Sequence, residues 1–175
     1  LISGLKATVK NRILKLRNKF YSSTFEVIFP LRLVIIKESR LLTEYNRKKD
    51  FYFYIGGHLE YGETILEGCE REVKEECGEE TKFKLEKVLY VRDFFDPDNG
   101  EQNVELFILG DIDKFAELEH HLDPQHPEGH MWLTWQEMKN LPENLFPKPL
   151  TKKLVRDYQN GFPKAGEYVG RMDSR

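Results

Sequence analysis

Residues 57–79 read GHLEYGETILEGCEREVKEECGE, and their spacing predicts a glycine-led loop that runs into a helix. Thr64 followed three residues later by Glu67 is a capping box, in which the hydroxyl accepts from an orphan amide and the carboxylate reaches back to the cap. The helix therefore begins near Ile65. Gly78 supplies the left-handed residue that commonly closes a helix, so the element runs to about Cys77. At about 100° per residue, Glu72, Glu75 and Glu76 share one face, while Leu66, Cys69, Val73 and Cys77 share another about a quarter-turn round. One face packs and its neighbour carries three carboxylates.

Carboxylates at i, i+3 and i+4 repel, at a cost of a few tenths of a kcal/mol per pair in an isolated helix. A hard divalent cation offsets that repulsion: Mg²⁺ takes oxygen ligands at about 2.0 to 2.1 Å, keeps several waters and bridges carboxylates to substrate phosphates. Arg71, one residue off the acidic face, is placed to hold a glutamate through a forked hydrogen bond. The plain alternative is a solvated acidic face, the usual fate of a charge run. A plain surface helix has no need of the lead-in Gly56, Gly57, Gly62, Glu63.

At these residues the chain resembles the Nudix hydrolase family. Its signature reads Gly, five residues, Glu, seven residues, Arg-Glu, apolar, any, Glu-Glu, any, Gly, apolar, and every fixed position from Gly57 to Gly78 is matched. Two positions depart: Glu79 stands where the last apolar residue is usual, and Ile55 where a proline often precedes the double glycine. The resemblance implies an α/β (α+β) fold, an α/β/α sandwich with a mixed β-sheet, here with an extra N-terminal helix. It also implies hydrolysis of a pyrophosphate bond, with Mg²⁺ or Mn²⁺, in a nucleoside diphosphate derivative: a nucleotide sugar, an ADP-ribose-like molecule or a (d)NTP. By resemblance Glu72, Glu75 and Glu76 are the metal ligands, Arg71 orients them and Glu63 supports the site; Glu72 also serves as general base in some relatives. Gly56, Gly57 and Arg32 are expected to meet the substrate. A further acid is often recruited from a late loop, where Glu128 is the first candidate and Glu105, within a strand, the second. A non-catalytic nucleotide- or RNA-binding module on the same scaffold is the alternative, which loss of one acid would favour; none is lost.

Bulk properties bound the rest. The chain has 175 residues and 20.8 kDa, enough for one domain with a sizeable core. A net charge of -3 supplies no global basic field, so nucleic acid is not an expected partner; the expected one is a nucleotide-type small molecule, and a homodimer is left open. No apolar run is long enough to span a bilayer and no secretory pattern occurs. Cys69 and Cys77 lie roughly 12 Å apart along one helix, too far to bridge each other. They read as core residues of a cytoplasmic protein. Leu1 is not an initiator methionine, which leaves a start upstream open.

Three segments are expected: a basic amphipathic helix within 1–23, a hydrolase domain over 24–160 and a C-terminal tail over 161–175. In the first, Leu5, Val9, Ile13, Leu16 and Phe20 oppose Lys6, Lys10, Arg12, Lys15, Arg17 and Lys19. That face suits a membrane surface, RNA, or simple packing on the domain. Strands are expected over 24–37 with a break at Pro30, then 40–45, 50–55, 83–95, 102–110 and 131–134. A helical segment over 135–141 and a closing helix over 150–159 complete the reading. His120, His121, Asp123, His126 and His130 match no tetrahedral zinc spacing and read as a solvated loop.

Overall fold

The computed structural model describes residues 27–96, 101–118, 121–122 and 131–172. The segment expected to form a basic N-terminal helix, Glu128 and most of the histidine tract lie outside the described residues. Among the described residues nine strands form one mixed sheet: β1 (Val27–Ile28), β2 (Leu31–Lys37), β3 (Arg40–Asn46), β4 (Phe51–Phe53), β5 (Phe83–Asp96), β6 (Glu101–Ile112), β7 (His121–Leu122), β8 (Met131–Glu137) and β9 (Glu167–Gly170). The main path runs β7-β8-β3-β2-β6-β5-β9, with β1 on β6 and β4 on β3. Helix α1 (Ile65–Cys77) lies on one face and α2 (Lys148–Gln159) on the other. This is the α/β/α arrangement of an α+β fold.

The apolar periodicity explains the layers. Cys69, Val73 and Cys77 from one stripe of α1 join Leu31, Leu33 and Ile35 of β2 in one core. Leu150 and Leu154 of α2 join Val34, Leu41 and Phe107 in the other. β2, LRLVIIK, reads as a nearly continuous apolar run because it is covered on both faces. Burying each such side chain stabilises the fold by about 1.5–3 kcal/mol relative to exposure. Both cysteines are buried, and burial pushes the Cys69 thiol up to about 12. Among the described residues no helix is long and apolar enough to cross a membrane.

One opening in the sheet positions everything that follows. β2 and β3 pair only at Ile36–Leu41 and Lys37–Arg40, and then separate. The chain leaving β4 crosses between them: Leu33 N donates to Ile55 O at 2.9 Å and Leu31 N to Gly57 O at 2.7 Å. The double glycine is thereby laid beside β2 and under α1.

Two expectations need correction. The segment over 135–141 is not helical from its start: β8 continues through Glu137, with Trp135 opposite Leu42 and Gln136 opposite Leu41, and only a single 3-10 turn follows at Met138–Asn140. Cross-strand pairing with β3 outweighs the local helical pattern. Past residue 160, the segment read as a tail contributes Phe162 to the core, and β9 runs parallel to β5.

Candidate active site

The loop ahead of α1 works only with glycine at two places. Gly56 has φ +119, and a Cβ there would lie 2.2 Å from the Leu31 carbonyl oxygen. A Cβ on Gly57 would sit 2.4 and 2.6 Å from the two carboxylate oxygens of Glu72. Backbone and acid therefore approach more closely than any side chain permits. Thr64 closes the capping box as expected: its hydroxyl accepts from Glu67 N at 3.3 Å, while Thr64 N donates to Glu67 Oε2 at 2.8 Å. Gly78, at φ +101, ends the helix and donates its N–H to Lys74 O.

Arg71 gathers the acids. Its Nε and Nη2 donate to the two oxygens of Glu63 at 2.8 and 3.1 Å, and its Nη1 to Glu72 at 2.7 Å and Glu75 at 3.1 Å. Nη2 also donates to the His58 carbonyl at 2.8 Å, which ties the loop to the helix. Glu76 is held separately, its Oε2 accepting from Gly56 N at 2.9 Å. Glu72 and Glu76 are each 5% exposed, whereas the Glu75 side chain is 37% exposed. Burial raises the Glu72 carboxyl above the usual carboxylate range against the pull of Arg71, while the Arg71 hydrogen bond lowers Glu63. The Glu63 contact raises Arg71 in turn.

Arg71, Glu72, Glu75 and Glu76, with Gly56, Gly57 and His58, line a cavity of about 420 Å³ that also admits Glu44, Glu60 and Met131. Glu44, 2% exposed on β3, is a member that sequence reasoning missed. Its signal was a glutamate inside RLLTEYN, an otherwise mostly buried strand. The donors are hard carboxylate oxygens, the set Mg²⁺ or Mn²⁺ takes, and the glycine cradle opens the approach to Glu72. The residues therefore fit such a cation. Among the described residues, however, no three acids or histidines converge tightly enough to hold an ion as they stand. The Arg71 guanidinium occupies the point on which Glu72 and Glu75 converge.

A second cavity of about 440 Å³ adjoins the first through Phe53, which lines both. Arg32, Arg92, Glu105 and Asn46 face it among Phe51, Phe94, Phe107 and Phe146. Arg32 Nε donates to Glu105 Oε1 at 3.3 Å, and Arg92 Nη1 donates to Glu105 Oε2. The structure thus brings Glu63, Arg71, Glu72, Glu75, Glu76, Gly56 and Gly57 together. It places Arg32 in the neighbouring cavity, with Glu105 paired to it there.

A NUDIX domain model matches residues 30–154. The fold is similar to a NUDIX hydrolase from Nitrosomonas europaea, with TM-score 0.59 and 20% identity over 80% of this chain and 93% of that one. An ADP-ribose pyrophosphatase from Streptococcus suis gives TM-score 0.56 and 17% identity over 83% and 99%. A UDP-X diphosphatase gives 0.55 and 21% over 90% and 74%. At these identities the structural likeness speaks for the fold; the domain match, which covers most of the chain, carries the family.

Proposed function

The chain belongs to the Nudix family, and from that premise we propose that it is a divalent-metal-dependent pyrophosphohydrolase acting on a nucleoside diphosphate derivative. The observation that carries this reading is the single guanidinium of Arg71, anchored by Glu63 and holding Glu72 and Glu75 in the acid-lined cavity. The names of two similar structures, a UDP-X diphosphatase and an ADP-ribose pyrophosphatase, agree with a nucleoside phosphate joined to a further group.

Glu72, Glu75 and Glu76 would hold Mg²⁺ or Mn²⁺. A bound cation of this kind neutralises phosphate charge and acidifies the attacking water. The chain's own residues do the positioning. Arg71 fixes the orientation of Glu72 and Glu75 and is itself fixed by the fork to Glu63, so the acids lose little freedom when substrate arrives. Gly56 N holds Glu76 through its Oε2, which fixes the carboxylate beside the double glycine. Burial raises the Glu72 carboxyl, and the Arg71 fork opposes that rise. Arg32, in the adjoining cavity, would meet the nucleoside end of the substrate.

Glu128, outside the described residues, remains the candidate acid of the late loop. If it positions water, Glu128→Gln should depress turnover at saturating substrate and alter the pH–rate profile with metal affinity unchanged. The test of the whole reading is a screen of nucleotide sugars, dinucleotides, ADP-ribose and (d)NTPs with Mg²⁺, reading nucleoside monophosphate against phosphate release. Binding of nucleotides without hydrolysis of any of them would select the non-catalytic scaffold instead.

A further inference from the structure

The aromatic cavity holds a charge arrangement that the hydrolysis of phosphates does not call for. Three adjacent strands present it: Arg32 on β2 is in register with Phe107 of β6, Glu105 lies two residues earlier on β6, and Arg92 of β5 stands directly opposite Glu105. Arg92 and Glu105 are each 4% exposed. Burying such ions is costly, and well-packed apolar residues hold a sheet as well or better. This trio, moreover, is not sealed in the core. It faces a cavity whose volume lies in the range of small-molecule sites, with aromatic rings around it.

Resting on the pyrophosphohydrolase reading, we infer that this cavity takes the nucleobase of the substrate and selects one whose edge is a cyclic imide, acceptor–donor–acceptor, as in uracil, thymine or xanthine. The order Arg32, Glu105, Arg92 presents donor, acceptor, donor. Glu105 accepts from Arg32 on one oxygen and from Arg92 on the other, and Arg92 also donates Nε to the Arg171 carbonyl at 3.1 Å; a guanidinium carries five N–H donors and a carboxylate about four acceptor sites, more than these contacts use. The two imide oxygens accept from the arginines and the ring N–H donates to Glu105. Cytosine and adenine are opposed, because each turns a ring-nitrogen lone pair toward the carboxylate, and such acceptor-against-acceptor contacts discriminate alongside the attractive ones. Guanine satisfies the oxygen and N–H positions but turns its amine toward a guanidinium. Phe51, Phe53, Phe94 and Phe146 supply faces and edges for a planar ring. The phosphates then extend past Phe53 toward the acids.

The test is calorimetric titration of the full chain with UMP, CMP, XMP and AMP, beside the hydrolysis screen. UMP should bind at least about tenfold more tightly than CMP, or XMP than AMP, the discrimination expected of one good pair of base-edge contacts. Preference within the pyrimidine pair names that source and preference within the purine pair the other. Arg32→Gln, chosen because the Arg32 side chain is 26% exposed, should bring the ratio near one at an unchanged melting temperature. Glu105→Gln should do the same wherever it folds. Equal binding across each pair, preference for CMP or AMP, no binding at all, or a folded Arg32→Gln that keeps its preference would overturn the inference. A retained UMP or XMP preference with no hydrolysis of any substrate would sink the hydrolase reading while leaving the base reading standing.

Discussion

Two adjoining cavities, of about 420 and 440 Å³, share Phe53 and little else. In the acid cavity five glutamates (Glu44, Glu60, Glu72, Glu75 and Glu76) face one arginine, an excess of negative charge in its described lining. In the aromatic cavity two arginines face one glutamate, a small positive excess among rings. The first environment suits a cation that carries phosphates, and the second a neutral, planar, hydrogen-bonding group. Their difference in origin is as instructive as their difference in charge. Most of the acid cavity comes from residues 56–76, whereas the aromatic one gathers side chains from β2, β3, β4, β5, β6 and the segment before α2.

The strongest way to break this comparison is to remove one charge from the acid side. Glu76→Gln keeps an oxygen to accept from Gly56 N, so the fold should survive while metal-dependent turnover falls by orders of magnitude. Full activity in a steady-state assay of that variant would mean the acids do not hold the cation. Arg71→Ala should cost roughly 10–100-fold in activity or metal affinity, the usual loss for a partner that orients ligands. Metal titration of the variant would reveal whether the guanidinium gathers the acids or merely balances them.

Acidity sharpens the contrast further. Burial holds the folded Glu72 pKa above its unfolded value, so its contribution to stability is fully present below the ordinary carboxylate pKa and is lost as pH rises through the raised value. A cation reverses that loss. The melting-temperature gain from Mg²⁺ should accordingly be larger at pH 7 than near pH 4, and equal gains at the two would remove Glu72 from the ligand set. The smallest effect belongs to the cap: Thr64→Ala should cost about 1 kcal/mol of stability, read as a shifted denaturant midpoint. Turnover per folded molecule should hardly change.

Much of the acid side was legible in the linear chain because its contacts are local. A capping box joins residues three apart, Gly78 ends the helix within its own turn, and Glu72, Glu75 and Glu76 share a face by helical period alone. Arg71 lies beside them for the same reason. Four features were not legible: Glu44 at the acids, Arg92 beside Glu105, the strand that runs on through Trp135, and β9 along β5. Each depends on a strand partner 13 to 93 residues away in sequence, counting Glu105 minus Arg92 at one end and Trp135 minus Leu42 at the other. Period and propensity within a segment carry no information about register against such a partner. The helix and its acids were thus determined by the sequence alone, through interactions within a turn or two. The paired cavity was decided by tertiary structure, because only the separation of β2 from β3 and the crossing of the double glycine between them bring its walls together.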